Sequence, residues 1–400
     1  MFQLPNKYFL LKFLNKKHSL FERILYGSFC FFTSLIFTRS FNLAKNLFDL
    51  SYNDHFKTCF RRIVKYFQIY TKLKIYPDNS FNLAIDLELK NLLLLENKIS
   101  KLLIRNPSDK FLLQELLNIL SEKIKLSNDS YIADKQKFET IANTIISSAL
   151  ESLHEDINKS NVKSISSQIK INSFEEDANE ALKDFAEVFP SSSWKWFVAS
   201  GTFLGLIREK GFLKHDFDLD LGFMSEEFQL EKFIQKIKKS TNFFVKKVDY
   251  QIEYSFSKHS CKVIRRNLAL VNIIHTNRLN IDIFIFYANN NNLWHGSTFH
   301  RWNNSKFDLK KYKLCNIDVL GPANPEIYLT ENYGDWRTPV KEFDFTTGTP
   351  NLAIVDNPSS IALFLIKISR SNSGKYINRN IEILKNSGYI NKEMKFKLIN

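Results

Sequence analysis

Asp216, Asp218 and Asp220 alternate with apolar residues in the segment His215-Asp216-Phe217-Asp218-Leu219-Asp220-Leu221-Gly222. Alternate side chains of a β-strand share one face, so this spacing predicts three carboxylates pointing the same way. Phe217, Leu219, Leu221 and Phe223 fall on the other face and predict a strand buried on that side. Three adjacent anions repel, and the simplest compensation is a hard divalent cation with oxygen ligands. Solvated carboxylates on an edge strand are the plainer reading, and the apolar alternation argues against it. A further carboxylate, Asp282, interrupts the apolar run Leu279–Phe286. Such a group is costly unless paired or metal-bound. Its placement predicts a second strand beside the first, with Asp282 completing the cluster. The plainer reading is an Asp near a strand end, bonded to a loop.

Upstream, Ser200-Gly201-Thr202 follows a short apolar strand and opens a helix. Backbone N–H groups at such a helix start can hold a phosphate. Gly201 lets the backbone approach closely, Thr202 can cap or donate, and Arg208, about two turns on, could reach the same anion. Alone, this pattern is an ordinary Ser/Thr cap; its weight comes from lying just ahead of the acidic strand. His215 and His295 are candidate acid–base residues, although a lone His more often serves structure.

Strand-like runs are Trp196–Ser200, Leu219–Phe223, Phe243–Asp249, Val263–His275 and Leu279–Tyr287, with helices at 202–210 and 225–239 between the first three. An amphipathic helix over Asp177–Phe189 is closed by Pro190. Residues 288–318 look loop-rich, and 358–370, 375–387 and 391–398 read as helices. Residues from about 40 to 170 carry helical periodicity, clearest at 81–103 and 110–126. Pro77-Asp78-Asn79 and Pro107-Ser108-Asp109 each precede one of these helices. Two such units suggest helical hairpins of the tetratricopeptide kind, and an irregular helical domain is the plainer reading. The polar stretch 155–172 marks a boundary. The expected organisation is a basic helical domain over 1–170 and an α+β domain over 171–400.

Composition bounds the class. The 400 residues are 44% hydrophobic and 24% charged, which excludes a disordered or collagen-like chain and a multi-span membrane protein. Abundant Asn, Lys, Ile and Phe fit AT-biased codons and a bacterial source. Cys30, Cys59, Cys261 and Cys315 show no CxxC spacing, so a disulfide framework and a zinc ribbon are not expected, and a reducing compartment is. Of the net charge of +14, residues 1–75 carry +10, from 13 Lys/Arg against Glu22, Asp49 and Asp54. This segment suits an anionic membrane surface or nucleic acid, and a solvated basic face is the plain alternative. Ile24–Thr38 is an uncharged run of 15 residues, short of the roughly 20 a spanning helix needs. It predicts a helix lying on a membrane or packed in a core.

The motifs together resemble the LicD/fukutin family of phosphotransferases, in the nucleotidyltransferase fold superfamily. The matching residues are Gly201-Thr202, Asp218-x-Asp220 and Asp282 in order, the longer run SGT-FLG-LIR-EKGF-LKHDFDLDLG, and the later Tyr333-Gly334-Asp335-Trp336-x-x-Pro339. Phe217 stands where a further Asp is common, and His215 where Trp often precedes the acidic run. The likeness covers about residues 175–345.

The resemblance implies a mixed sheet with flanking helices and an enzyme that moves a phosphorylated alcohol, such as phosphocholine or a polyol phosphate. The implied donor is a CDP-alcohol, the acceptor a cell-surface glycan of lipopolysaccharide or capsule type, and the by-product CMP. Asp216, Asp218 and Asp220 would hold Mg²⁺ or Mn²⁺, and Asp282 would be a ligand or the general base. Ser200, Gly201, Thr202 and Arg208 would steady the diphosphate, and Asp335 and Trp336 would line a substrate pocket. The expected location is cytoplasmic, peripheral at the inner membrane face, with a lipid-linked acceptor and no nucleic-acid partner. The competing readings are an enzyme that attaches a nucleotide, and a catalytically inactive basic adaptor.

Overall fold

In a computed structural model, the structure describes residues 24–29, 32, 89–126, 130–155, 174–214, 216–290, 292–340 and 343–398 apart from 344 and 347. The chain divides into two compact units, residues 1–145 with 257–261, and residues 146–256 with 262–400. The expected boundary segment, the Pro77 turn and His215 lie outside the described residues.

The first unit holds α1 (Leu89–Arg105), α2 (Lys110–Leu126) and the start of α3 (Tyr131–Glu155). The Pro107-Ser108-Asp109 turn works as the sequence suggests. The Asp109 carboxylate accepts from the N–H groups of Phe111 and Leu112 at 3.0 and 3.1 Å, satisfying orphan donors at the start of α2. Lys123 on α2 reaches Glu96 at 2.7 Å and Asp134 at 2.6 Å, and Lys137 pairs with Glu96 at 2.6 Å. Lys123 and Asp134 are buried, and the four charges pair with one another across the three helices instead of standing alone. Residues 24–29 are helical, with Leu25 and Phe29 exposed. Among the described residues no helix is long and apolar enough to cross a membrane.

The second unit is α+β. Helix α4 (Phe174–Val188) turns Phe174, Ala178, Ala181, Leu182 and Phe185 inward, at the three- and four-residue spacing of one helical face. After it come β1 (Phe197–Val198), α5 (Ser200–Arg208), β2 (Asp218–Met224), α6 (Leu230–Lys239), β3 (Phe243–Phe256), β4 (Cys261–His275) and β5 (Asn280–Asn289). Strands β6 (Asn292–Gly296), β7 (His300–Ser305), β8 (Leu309–Leu314) and β9 (Ile317–Pro322) follow, then α7 (Pro325–Tyr333), β10 (Leu352–Ile354), α8 (Pro358–Arg370) and α9 (Gly374–Asn386). Helices α7 and α8 both start at Asn-Pro: Asn324 and Asn357 accept from the N–H of Ile327 and Ser359, and the proline occupies the first turn.

The sheet runs β10-β7-β6-β5-β2-β1-β9-β8, with β4 also on β5 and β3 on β4. Strands β2 and β5 are parallel neighbours, as placing Asp282 beside the acidic strand requires. Leu219, Leu221, Phe223, Ile281, Ile283 and Ile285 form one buried face, in the same core as Phe185, Trp196 and Phe233. The carboxylates therefore project from the opposite face.

Three expectations change. Residues 288–318 are not loop-rich but carry β6, β7, β8 and the start of β9. Residues 391–398 are not a helix: Asn391 Oδ1 accepts from the N–H of Glu393 and Lys395, and Ile390 bridges Phe396. Phe217 is 65% exposed and not part of the buried face, because β2 begins one residue later.

Candidate active site

Asp218 and Asp220 are two residues apart on β2, and Asp220 lies directly across the ladder from Asp282 on β5. One oxygen from each of these three carboxylates lies within 4.8 Å of the others. Asp216 precedes the strand. It accepts the Phe217 N–H at 3.2 Å and shares a hydrogen bond with Asp218.

The start of α5 is fastened to Asp220 at three points. The Asp220 N–H donates to Thr202 Oγ1 at 2.8 Å, and its carbonyl accepts from the Ala199 N–H at 3.0 Å. Its carboxylate accepts from the Gly201 N–H at 2.8 Å. The N-cap is thus Ala199, without a side-chain cap, and Thr202 anchors the acidic strand instead. The Gly201 N–H that the sequence assigns to a phosphate here serves Asp220. Gly201 is required for closeness: a Cβ there would stand 2.8 Å from Asp216 Oδ2 and 3.1 Å from Asp220 Oδ2. Ser200 makes the turn from β1 into α5 with φ at 40°, an unusual angle for a residue with a side chain. Its N–H donates to Tyr328 Oη at 3.1 Å, so α7 props the turn.

Burial and mutual repulsion disfavour the ionised carboxylates. Asp218 is pushed up to about 7, first by burial and then by Asp216, with Lys246 opposing. Burial raises Asp282 to about 6, against the hydrogen bond from Asn272 and with Asp218 adding to the rise. Asp220 is raised well above the usual range by burial and the three other aspartates, with the Gly201 N–H opposing. Asp216 is also raised by burial. A set of converging oxygen donors, short of positive charge, is what a hard divalent cation satisfies. The residues present fit such a cation.

The other expected residues lie around this cluster. Arg208 Nη1 donates to the Trp336 carbonyl at 3.0 Å, and Nε pairs with Glu209 at 2.8 Å. Trp336 itself packs in the core, with the guanidinium of Arg337 4.3 Å over its ring. Asp335 is exposed and accepts from Thr338 at 2.7 Å. His295 is fully enclosed by Phe284, Phe286 and Trp302, and neither ring nitrogen has a partner among the described residues. Burial lowers it to about 3, unsuited to taking protons near neutrality.

Sequence reasoning missed four residues here. Asn272 on β4 faces Asp282 and donates to it from Nδ2. Lys246 on β3 holds Asn280, the residue across from Asp218, at 2.6 Å. Tyr328, buried, and Tyr333, half-buried, stand on α7, and their phenols are raised first by desolvation and then by the charge of Asp220. The Tyr-Gly-Asp-Trp element pointed to α7 but not to these contacts.

Residues 193–324 match the family described as LicD/FKTN/FKRP, nucleotidyltransferase domain. The matched stretch contains every residue from Ser200 to Asp282 discussed above and ends before Tyr328. Relatives include an uncharacterized protein of Rickettsia prowazekii, 27% identical over 39% of this chain and 54% of its own length. They also include ribitol-5-phosphate transferase FKTN of Mus musculus, 28% identical over 45% of this chain and 37% of its own length. An uncharacterized protein of Rickettsia typhi is 29% identical over 39% of this chain and 45% of its own. The chain thus spans about half or less of the relatives it matches.

Proposed function

We propose that this protein is a divalent-metal-dependent phosphotransferase that moves a phosphorylated alcohol from a nucleotide-activated donor to a glycan. The observation that carries the reading is the convergence of Asp218, Asp220 and Asp282 beside the α5 N-terminus, inside the LicD-type domain. The FKTN relative, named as a ribitol-5-phosphate transferase, supports a polyol phosphate as the transferred group.

Asp216, Asp218, Asp220 and Asp282 would hold Mg²⁺ or Mn²⁺. The bound ion would neutralise the donor's diphosphate and lower the pKa of the acceptor hydroxyl. Phosphoryl transfer is largely positioning and charge stabilisation, so the protein's part is to hold the ends of the reaction in line. Asp282, on a strand of its own, would also take the acceptor proton. Lys246, whose charge reaches both Asp218 and Asp282, supplies a cation for the donor phosphates. Arg208 steadies the same group from the end of α5.

The finer reading has a CDP-alcohol donor, CMP as by-product and a bacterial envelope glycan as acceptor. The basic N-terminal region, with exposed Leu25 and Phe29, would hold the enzyme at the anionic inner membrane face near a lipid-linked acceptor. Cosedimentation with anionic vesicles should drop on deleting residues 1–75, and equal sedimentation would refute that part. Mass spectrometry of products from CDP-alcohols and a glycan panel tests the reaction. A glycan heavier by the phosphorylated alcohol is expected. A nucleotide-modified product would replace this reading with nucleotidyl transfer.

A further inference from the structure

We infer that Asn272 is a positioning residue of this site, which fixes Asp282 through its side-chain amide. The inference rests on the metal-site reading above. The β4–β5 and β2–β5 registers put Asn272, Asp282 and Asp220 in one row across three neighbouring strands. Nδ2 of Asn272 donates to Oδ1 of Asp282. The amide orientation follows from chemistry, since an ionised carboxylate accepts and does not donate.

Two observations show that Asn272 is there for Asp282. It is 9% exposed and sits between Val271 and Ile273, both fully buried, where an amide is costly unless bonded. Its Oδ1 is buried and has no partner among the described residues. The bond to Asp282 is therefore what compensates its burial. A carboxylate with one oxygen held cannot rotate freely, so its other oxygen is presented to the cluster in a fixed direction. Partners that orient metal-binding side chains in this way typically contribute about 10–100-fold to metal affinity or activity.

The test is calorimetric titration of the full chain with Mn²⁺ alone, on wild type, Asn272→Leu, Asp282→Asn and the double variant. Leucine keeps the volume and removes the donor. Asn272→Leu is expected to weaken Mn²⁺ binding about 10–100-fold. In the Asp282→Asn background the same change should cost almost nothing further, because Asn272 acts through Asp282. A purely structural role would lower the melting temperature of both backgrounds equally and leave Mn²⁺ affinity alone. Wild-type affinity in Asn272→Leu, with Asp282→Asn weakened, would overturn this inference and leave the metal site standing. Unchanged affinity in Asp282→Asn as well would overturn the metal reading itself. If Asn272→Leu fails to fold, Asn272→Ser is read by the same outcomes.

Discussion

Asp282 stands directly opposite Asp220 across the parallel β2–β5 ladder, and the two strands meet with no residue between them. Two carboxylates in that relation, with Asp218 two residues along, form a site that is electrostatically incomplete without a cation.

The metal-free fold should be destabilised by its own carboxylates. The folded-state values for Asp218, about 7, and Asp282, about 6, lie above the ordinary unfolded value of about 4. The folded state therefore binds more protons than the unfolded chain between about pH 4 and pH 7, and this contribution to stability falls as pH rises through that window. In EDTA, Asp218→Asn should melt above wild type, by a margin that widens with pH across the window. Saturating Mn²⁺ should reverse the order. A margin independent of pH in differential scanning fluorimetry would refute this.

Gly201→Ala separates fold from site. Alanine suits a helix better than glycine by roughly 0.5–1 kcal/mol, so the variant should fold. Its Cβ would press on Asp216 Oδ2 at 2.8 Å and displace the carboxylates. Melting temperature near wild type with Mn²⁺ affinity lowered about 10-fold or more is expected. Unaltered affinity would show that the close approach does not matter.

Thr202→Val removes the acceptor of the Asp220 N–H while keeping shape. Leaving that buried donor unpaired costs about 1–3 kcal/mol. Chemical denaturation should show that loss, and Thr202→Ser should restore most of it.

His295→Phe should leave the pH–rate profile in place and stability equal or higher. The imidazole is enclosed by aromatic rings and makes no hydrogen bond among the described residues. A moved or lost limb of the profile would instead make His295 an acid–base group.

Much of this site was legible in the sequence because its parts are local. The alternation of Asp218, Leu219, Asp220 and Leu221 states which face is buried, and Ser200-Gly201-Thr202 marks a strand-to-helix turn. The adjacency of Asp282 followed from the cost of a carboxylate among isoleucines. Asn272 and Lys246 were not legible, since their roles come from strand register, which no local pattern encodes. Strands β6 to β9 were hidden for another reason. They are short, β7 and β8 are half exposed, and Asn303, Asn304, Lys310, Lys311 and Lys313 blur the apolar alternation. At 391–398 the apolar residues Met394, Phe396 and Leu398 recur at two, and the turn around Asn391 was the overlooked signal.

The central claim is that the carboxylates of β2 and β5 support metal-dependent transfer from a nucleotide-activated donor. It is tested most directly by CMP release from CDP-alcohols, with a glycan acceptor, in Mg²⁺ or Mn²⁺ and in EDTA. Wild type should release CMP only with metal, and Asp218→Asn and Asp220→Asn should each lower the rate by about 10²–10³-fold, the scale of losing one charge-stabilising group. CMP release that persists in EDTA, or that both variants retain at the wild-type rate, would contradict the account.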